Sequence, residues 1–184
     1  MDTLTLNRKK IKTKSITIVL AVVISLVLPQ IFHAVGIVSG LGSALGAAFL
    51  PIQIPVLIAG FMAGPIVGII VGLASPLISF AISGMPVAAL VPFMMIEVAG
   101  YGIAAGMISK TKMPIFFKVV IVQLAGRTLR AVAILFAIFA LGNQAITTPQ
   151  IWNIVVAGLP GILLQWAIVP LLLYRMEGLK KYYE

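Results

Sequence analysis

The sequence predicts an all-α integral membrane protein of six transmembrane helices with both termini in the cytoplasm. Three observations carry that expectation. Hydrophobic residues make up 61% of the chain and charged ones 9%, against about 45–50% and 25% in soluble domains. Residues 54–110, IPVLIAGFMAGPIVGIIVGLASPLISFAISGMPVAALVPFMMIEVAGYGIAAGMISK, form one apolar run whose only ionised side chain before Lys110 is Glu97. A soluble core does not need such a run, whereas a bilayer asks for about 20 apolar residues per crossing. The basic residues, finally, are segregated. Arg8, Lys9, Lys10, Lys12 and Lys14 precede the first span; Lys110, Lys112 and Lys118 surround the middle of the chain; Arg175, Lys180 and Lys181 follow the last span. None lies in the connections at residues 34–49, 83–87 or 142–151. Such a bias follows the positive-inside rule.

Composition also excludes function classes. The net charge of +9 would suit nucleic acid if gathered on one soluble face, but lysines beside alternate span ends are better explained by topology. The chain has no cysteine, one histidine and four acidic residues. Disulfides and thiolate metal sites are thereby excluded, and a metal cage or hydrolytic triad is hard to assemble. No catalytic residue and no metal ligand is assigned. The 184 residues hold one membrane domain, with room for six spans of about 20–25 residues.

The elements follow in order. Residues 1–14 are a polar, basic leader without a small-residue cleavage site after it, so the first span is expected to remain in the mature protein. Span one covers residues 15–33 and carries Ala21 and Ser25 four apart, a small-residue face for close helix contact. Residues 34–49 are apolar but rich in Gly and Ser, and read as an outer loop or a broken, re-entrant piece. Span two, residues 50–63, opens on Pro51 and Pro55, and Gly64-Pro65 makes the inner turn. Span three covers residues 66–82, with Pro76 as a kink. The recurrence of Gly60, Gly64, Gly68 and Gly72 predicts that spans two and three pack tightly as a hairpin. Span four, residues 88–108, carries Glu97 near its middle, then Gly102 and Gly106. Span five, residues 114–141, contains Gln123, Arg127 and Arg130. After the polar loop at 142–150, span six, residues 151–174, holds Trp152, Asn153, Gln165 and Trp166.

Three ionised groups inside lipid require compensation, since a charge at bilayer centre costs about 2.5–3.5 kcal/mol on the insertion scale. Glu97 lies about 15 Å below the outer end of span four, and Arg127 about 20 Å above the inner end of span five, with Arg130 a turn higher. Gln123, Arg127 and Arg130 follow an i, i+4, i+7 pattern, as Phe93, Glu97 and Tyr101 do. Two polar stripes on consecutive antiparallel spans can therefore face each other. One Glu–Arg pair that fixes helix register is the simpler reading. It leaves one arginine over, which needs an anion or water. The alternative is an outward-opening pocket in which an arginine meets a carboxylate, phosphate or other acceptor on a small solute. Gln165, with Asn143 or Asn153, would supply hydrogen bonds, and Trp152 would stack on a ring. His33, at the outer end of span one, is more often interfacial than ligating.

The small six-span chain resembles the substrate-binding S component of an energy-coupling factor (ECF) transporter. The basic N-terminus, the apolar outer loop and the segments IPVLIAGFMAGPIVGIIVGLASPLISFAISGMP and PFMMIEVAGYGIAAGMI carry the resemblance, which covers nearly the whole chain. It implies a high-affinity vitamin-binding subunit of a prokaryotic plasma-membrane importer, partnered by a transmembrane coupling protein (T component) and two ATPases that use the ATP. Those subunits are thought to topple in the membrane to deliver substrate. An Ala-x-x-x-Ala motif on span one contacts the coupling protein in that family; the matching stretch here is Ala21-Val22-Val23-Ile24-Ser25, with serine at the second position. The chain needs no cofactor of its own and has no Gly-rich phosphate loop followed by Lys-Ser/Thr, so any ATPase must be a partner. No internal repeat of the secondary-transporter kind is visible. An ion- or proton-coupled carrier using Glu97, and an intramembrane enzyme using it as acid or base, are the other classes; the enzyme lacks a second acid. Pantothenate, a B6 vitamer, folate and a corrinoid all stay open as substrates.

Overall fold

The computed structural model describes residues 3–42 and 44–178; Lys180 and Lys181, expected at the inner face, lie outside the described residues, as does the side chain of Lys9. All regular structure among the described residues is helical. The helices are α1 (Thr3–Val38), α2 (Ala44–Phe49), α3 (Gln53–Ala63), α4 (Pro65–Ser83), α5 (Val91–Ile108), α6 (Ile115–Phe139), α7 (Pro149–Ala157) and α8 (Leu159–Arg175), with a 3₁₀ turn at Ala88–Leu90 before α5. Five stretches are long and apolar enough to cross a membrane, and the pair α7–α8, bent by 51° at Gly158, makes a sixth if taken as one crossing.

The helix boundaries correct the sequence reading at three places. The basic leader is not divided from span one: α1 runs from Thr3 through it and on to Val38, passing through Pro29, because lysine, arginine and leucine are good helix formers. Gly40 and Gly42, both at positive φ, then reverse the chain. Of the two readings of 34–49, the outer loop is not seen, whereas the broken piece agrees with a short helix α2 set off from α3 at residues 50–52; the second crossing is Ala44–Ala63 rather than 50–63. Span six is broken, since Pro160 lacks the N–H that a continuous helix would use. The Gly64-Pro65 turn is as expected: Gly64 has φ 93° and caps α4, whose first residue is Pro65. α4 is one helix through Pro76.

The glycine series makes a close contact with a different partner from the one expected. Gly68 meets the backbone of Gly102 on α5. A Cβ on Gly72 would lie 2.6 Å from Ala99 Cα, and one on Gly60 2.9 Å from Ala105 Cβ. Glycines of α3 and α4 thus both turn onto α5, which packs against α3, α4 and α6 and is the central helix. Around this seam lies the main apolar core, including Val56, Leu57, Val71, Val98 and Val122. α1 packs on α3 and α4. Ala21 and Ser25, expected to touch a partner protein, are 7% and 0% exposed in the chain by itself. The exposed face of α1 carries Val19, Val23, Val27 and Ile31 instead, an apolar stripe suited to lipid.

At one end of the bundle, Lys14 and Lys110 come together around the Gly64 turn. Lys118, expected as an inner-face charge, is buried and donates from Nζ to the carbonyls of Ser109 (2.8 Å) and Thr111 (2.7 Å), closing the last turn of α5 with a cation, as the helix dipole favours.

Candidate functional site

Towards the other end, α5 and α6 bring four of the predicted site residues together. Gly126 makes this approach possible. A Cβ there would collide with the Tyr101 ring and lie 2.7 Å from the Glu97 carbonyl, so any other residue would hold α6 away. One helical turn on, Arg130 Nη1 donates to Glu97 Oε2 at 2.5 Å, and Arg127 Nη1 lies 3.9 Å from Oε1. The Tyr101 hydroxyl also donates to Oε1. Glu97 is 1% exposed, and the two arginine side chains are 13% and 11% exposed. One carboxylate therefore faces two guanidinium groups, with one positive charge in excess. Arg127 Nε, Arg127 Nη2 and Arg130 Nε are buried without a hydrogen-bond partner. Buried donors left unpaired are costly, and the two arginines carry more donors than Glu97 takes up.

Arg130 also lines a cavity of about 310 Å³. Its walls come from α1 (Pro29, His33), α2 and the following bend (Gly46, Leu50), the start of α3 (Gln53), α4 (Ser79), the 85–94 stretch (Met85, Leu90, Met94) and α7 (Ile154, Ala157). A small void of about 20 Å³ beside it touches Glu97, Arg127 and Arg130. A larger cleft of about 510 Å³ lies at the Lys14–Lys110 end, but no buried ionised side chain lines it.

The other predicted residues are elsewhere. Gln123 and Gln165 are not beside Glu97: Gln123 Nε2 donates to Gln165 Oε1 (2.7 Å), Trp166 Nε1 donates to Gln123 Oε1 (2.7 Å), and Gln165 Nε2 donates to the Leu50 carbonyl (3.3 Å). Their polar atoms are spent on tying α6 to α8 and to the bend before α3. Trp152 is 68% exposed and Asn153 is also exposed. The face of α7 towards the site is that of Ile151, Ile154 and Val155, and neither Trp152 nor Asn153 lines any of these three cavities. Tyr101 touches Glu97 but lines neither cavity. Asn143 Oδ1 accepts from the Ala145 N–H within its own loop. His33, set aside from the sequence as interfacial, is on the cavity wall. Gln53 and Ser79 were missed, although Gln53 was detectable: it is the sole side-chain amide in an otherwise apolar stretch, the criterion that singled out Glu97.

Comparison with family models gives one match, described as ECF transporter, substrate-specific component, over residues 9–173. The chain belongs to that family. As an S component, it is a substrate-binding transport subunit and not itself an enzyme, and its apolar helices make it a multi-pass protein of the prokaryotic plasma membrane. S components work with a T component and ATPases in ECF transporters. Comparison of this S component with curated proteins and with solved structures returned no match.

Proposed function

We propose that this S component captures a small water-soluble organic anion, of the vitamin or micronutrient class, in the cavity lined by Arg130, and passes it inward with a T component and two ATPases. The observation that carries this reading is the charge imbalance beside the cavity: Glu97 offers one negative charge to Arg127 and Arg130, and three guanidinium nitrogens have no partner. A carboxylate or phosphate at Arg130 supplies the missing charge and an acceptor for Arg130, whose Nε is one of the three. With the basic span ends inside, as the positive-inside rule has it, the cavity faces outward. The proton-coupled alternative has less support because the Glu97 carboxylate is already taken up within the protein, by hydrogen bonds from Arg130 and Tyr101 with Arg127 at 3.9 Å.

The test is mass spectrometry of small molecules released from the gently purified, full-length protein, beside the Arg130→Gln variant. The wild type is expected to release an organic acid that the variant does not retain, while both reach the membrane in equal amount. A neutral or cationic ligand, or one retained equally by Arg130→Gln, would refute the assignment. Proton-driven uptake by this chain alone in liposomes would favour the carrier.

A further inference from the structure

The cavity contains a second polar anchor. Gln53, at the first turn of α3, is 2% exposed, yet its Oε1 has no hydrogen-bond partner. The contrast with Gln123 and Gln165, whose amides are satisfied within the chain, shows that this bundle can pair a buried glutamine where it is structural. Gln53 is also on the wall of the same cavity as Arg130. Most of the remaining wall is aliphatic, from Pro29, Ile52, Leu90, Met94 and Ile154. A buried carboxamide oxygen with no donor is a costly feature in an empty protein, and a ligand with a donor at that point relieves it.

We propose that Gln53 is the specificity-determining residue of this S component, reading a neutral hydroxyl or amide group of the solute whose acid is held at Arg130. The inference rests on the anion reading above and goes beyond it by fixing the ligand class: an organic acid with an apolar body and a separate neutral hydrogen-bonding group. A hydroxyl is the most informative group, because it both donates and accepts and so satisfies the amide in either orientation. Discrimination by a site with a buried polar group exceeds discrimination by an apolar wall, because the wrong ligand leaves that group unpaired.

The experiment measures Kd by calorimetry for the full-length protein in detergent, with straight-chain carboxylates from butanoate to decanoate and the ω-hydroxy acid of each length. In the wild type, the hydroxy acid of the matching length is expected to bind about tenfold more tightly than its parent. In Gln53→Met, which keeps the side-chain volume, that preference should disappear. In Gln53→Asn, whose amide is one methylene shorter, the preferred hydroxy acid should lengthen by one carbon; a purely structural role for Gln53 would not shift the optimum. Equal binding of parent and hydroxy acids by the wild type, or a preference that survives in Gln53→Met, overturns the assignment while leaving the anion reading intact. Failure of Arg130→Gln to weaken the parent acids, or no binding by either series, overturns the anion reading and this inference with it.

Discussion

Replacing Glu97 by glutamine tests how the buried cluster is held together. The amide keeps the size of the side chain and an oxygen that can still accept from Tyr101, so the change is mainly one of charge: the local excess rises from one positive charge to two. Removing one partner from a buried ion pair typically costs about 3–5 kcal/mol. The partition between the two arginines follows from their distances. With an effective dielectric of about 20, Coulomb's law gives about 7 kcal/mol for Arg130 at 2.5 Å and about 4 kcal/mol for Arg127 at 3.9 Å before desolvation. Arg130 should therefore be the stronger partner by about 2 kcal/mol, with desolvation reducing both values. Double-mutant cycles of Glu97→Gln with Arg130→Gln and with Arg127→Gln, read by equilibrium unfolding in detergent, isolate the two couplings. A larger coupling to Arg127, or a loss below about 1 kcal/mol for Glu97→Gln alone, would refute the arrangement.

Two further substitutions separate the scaffold from the site. Gly102→Ala puts a methyl group against the Gly68 backbone, which cannot turn aside as a side chain can; a loss of about 1–3 kcal/mol or more in unfolding is expected, and an unchanged unfolding curve would show that α4 and α5 are not in contact there. Gln123→Leu leaves Gln165 Oε1 and Trp166 Nε1 unpaired, and should cost about 1–3 kcal/mol of stability with ligand retention unchanged. Loss of ligand with full stability would instead place Gln123 at the binding surface.

The central part of the site was legible because charge is rare in lipid. Glu97, Arg127 and Arg130 stand out in apolar sequence, and helical periodicity was enough to turn them towards each other. The same periodicity failed for Gln123, seven residues before Arg130 on the same stripe. A stripe fixes the direction a side chain faces, not which helix is found there at each depth; the part of α6 that carries Gln123 meets α8, and the part that carries Arg130 meets α5. The glycine series failed in a related way. Small residues announce a close contact, but nothing local to Gly68 and Gly72 distinguishes α3 from α5 as the partner. Trp152 and Asn153 lie on the exposed side of α7 because it is a separate short helix, whose inward face is set by the break at Gly158 and Pro160 rather than by the register of α8. Gly126 was the most informative omission: a glycine opposite a buried tyrosine is what allows the two arginines to reach Glu97.

The glycine seam and the cavity occupy different parts of the molecule. Gly60, Gly68, Gly72, Gly102 and Gly106 clamp α3, α4 and α5 together, and none of them lines the chamber bounded by His33, Gln53, Ser79, Met94 and Arg130. On the reading proposed above, replacements in the chamber can therefore change cargo preference while the framework beneath stays whole. Arg130 is the exception, a chamber residue that also ties α6 to α5 through Glu97.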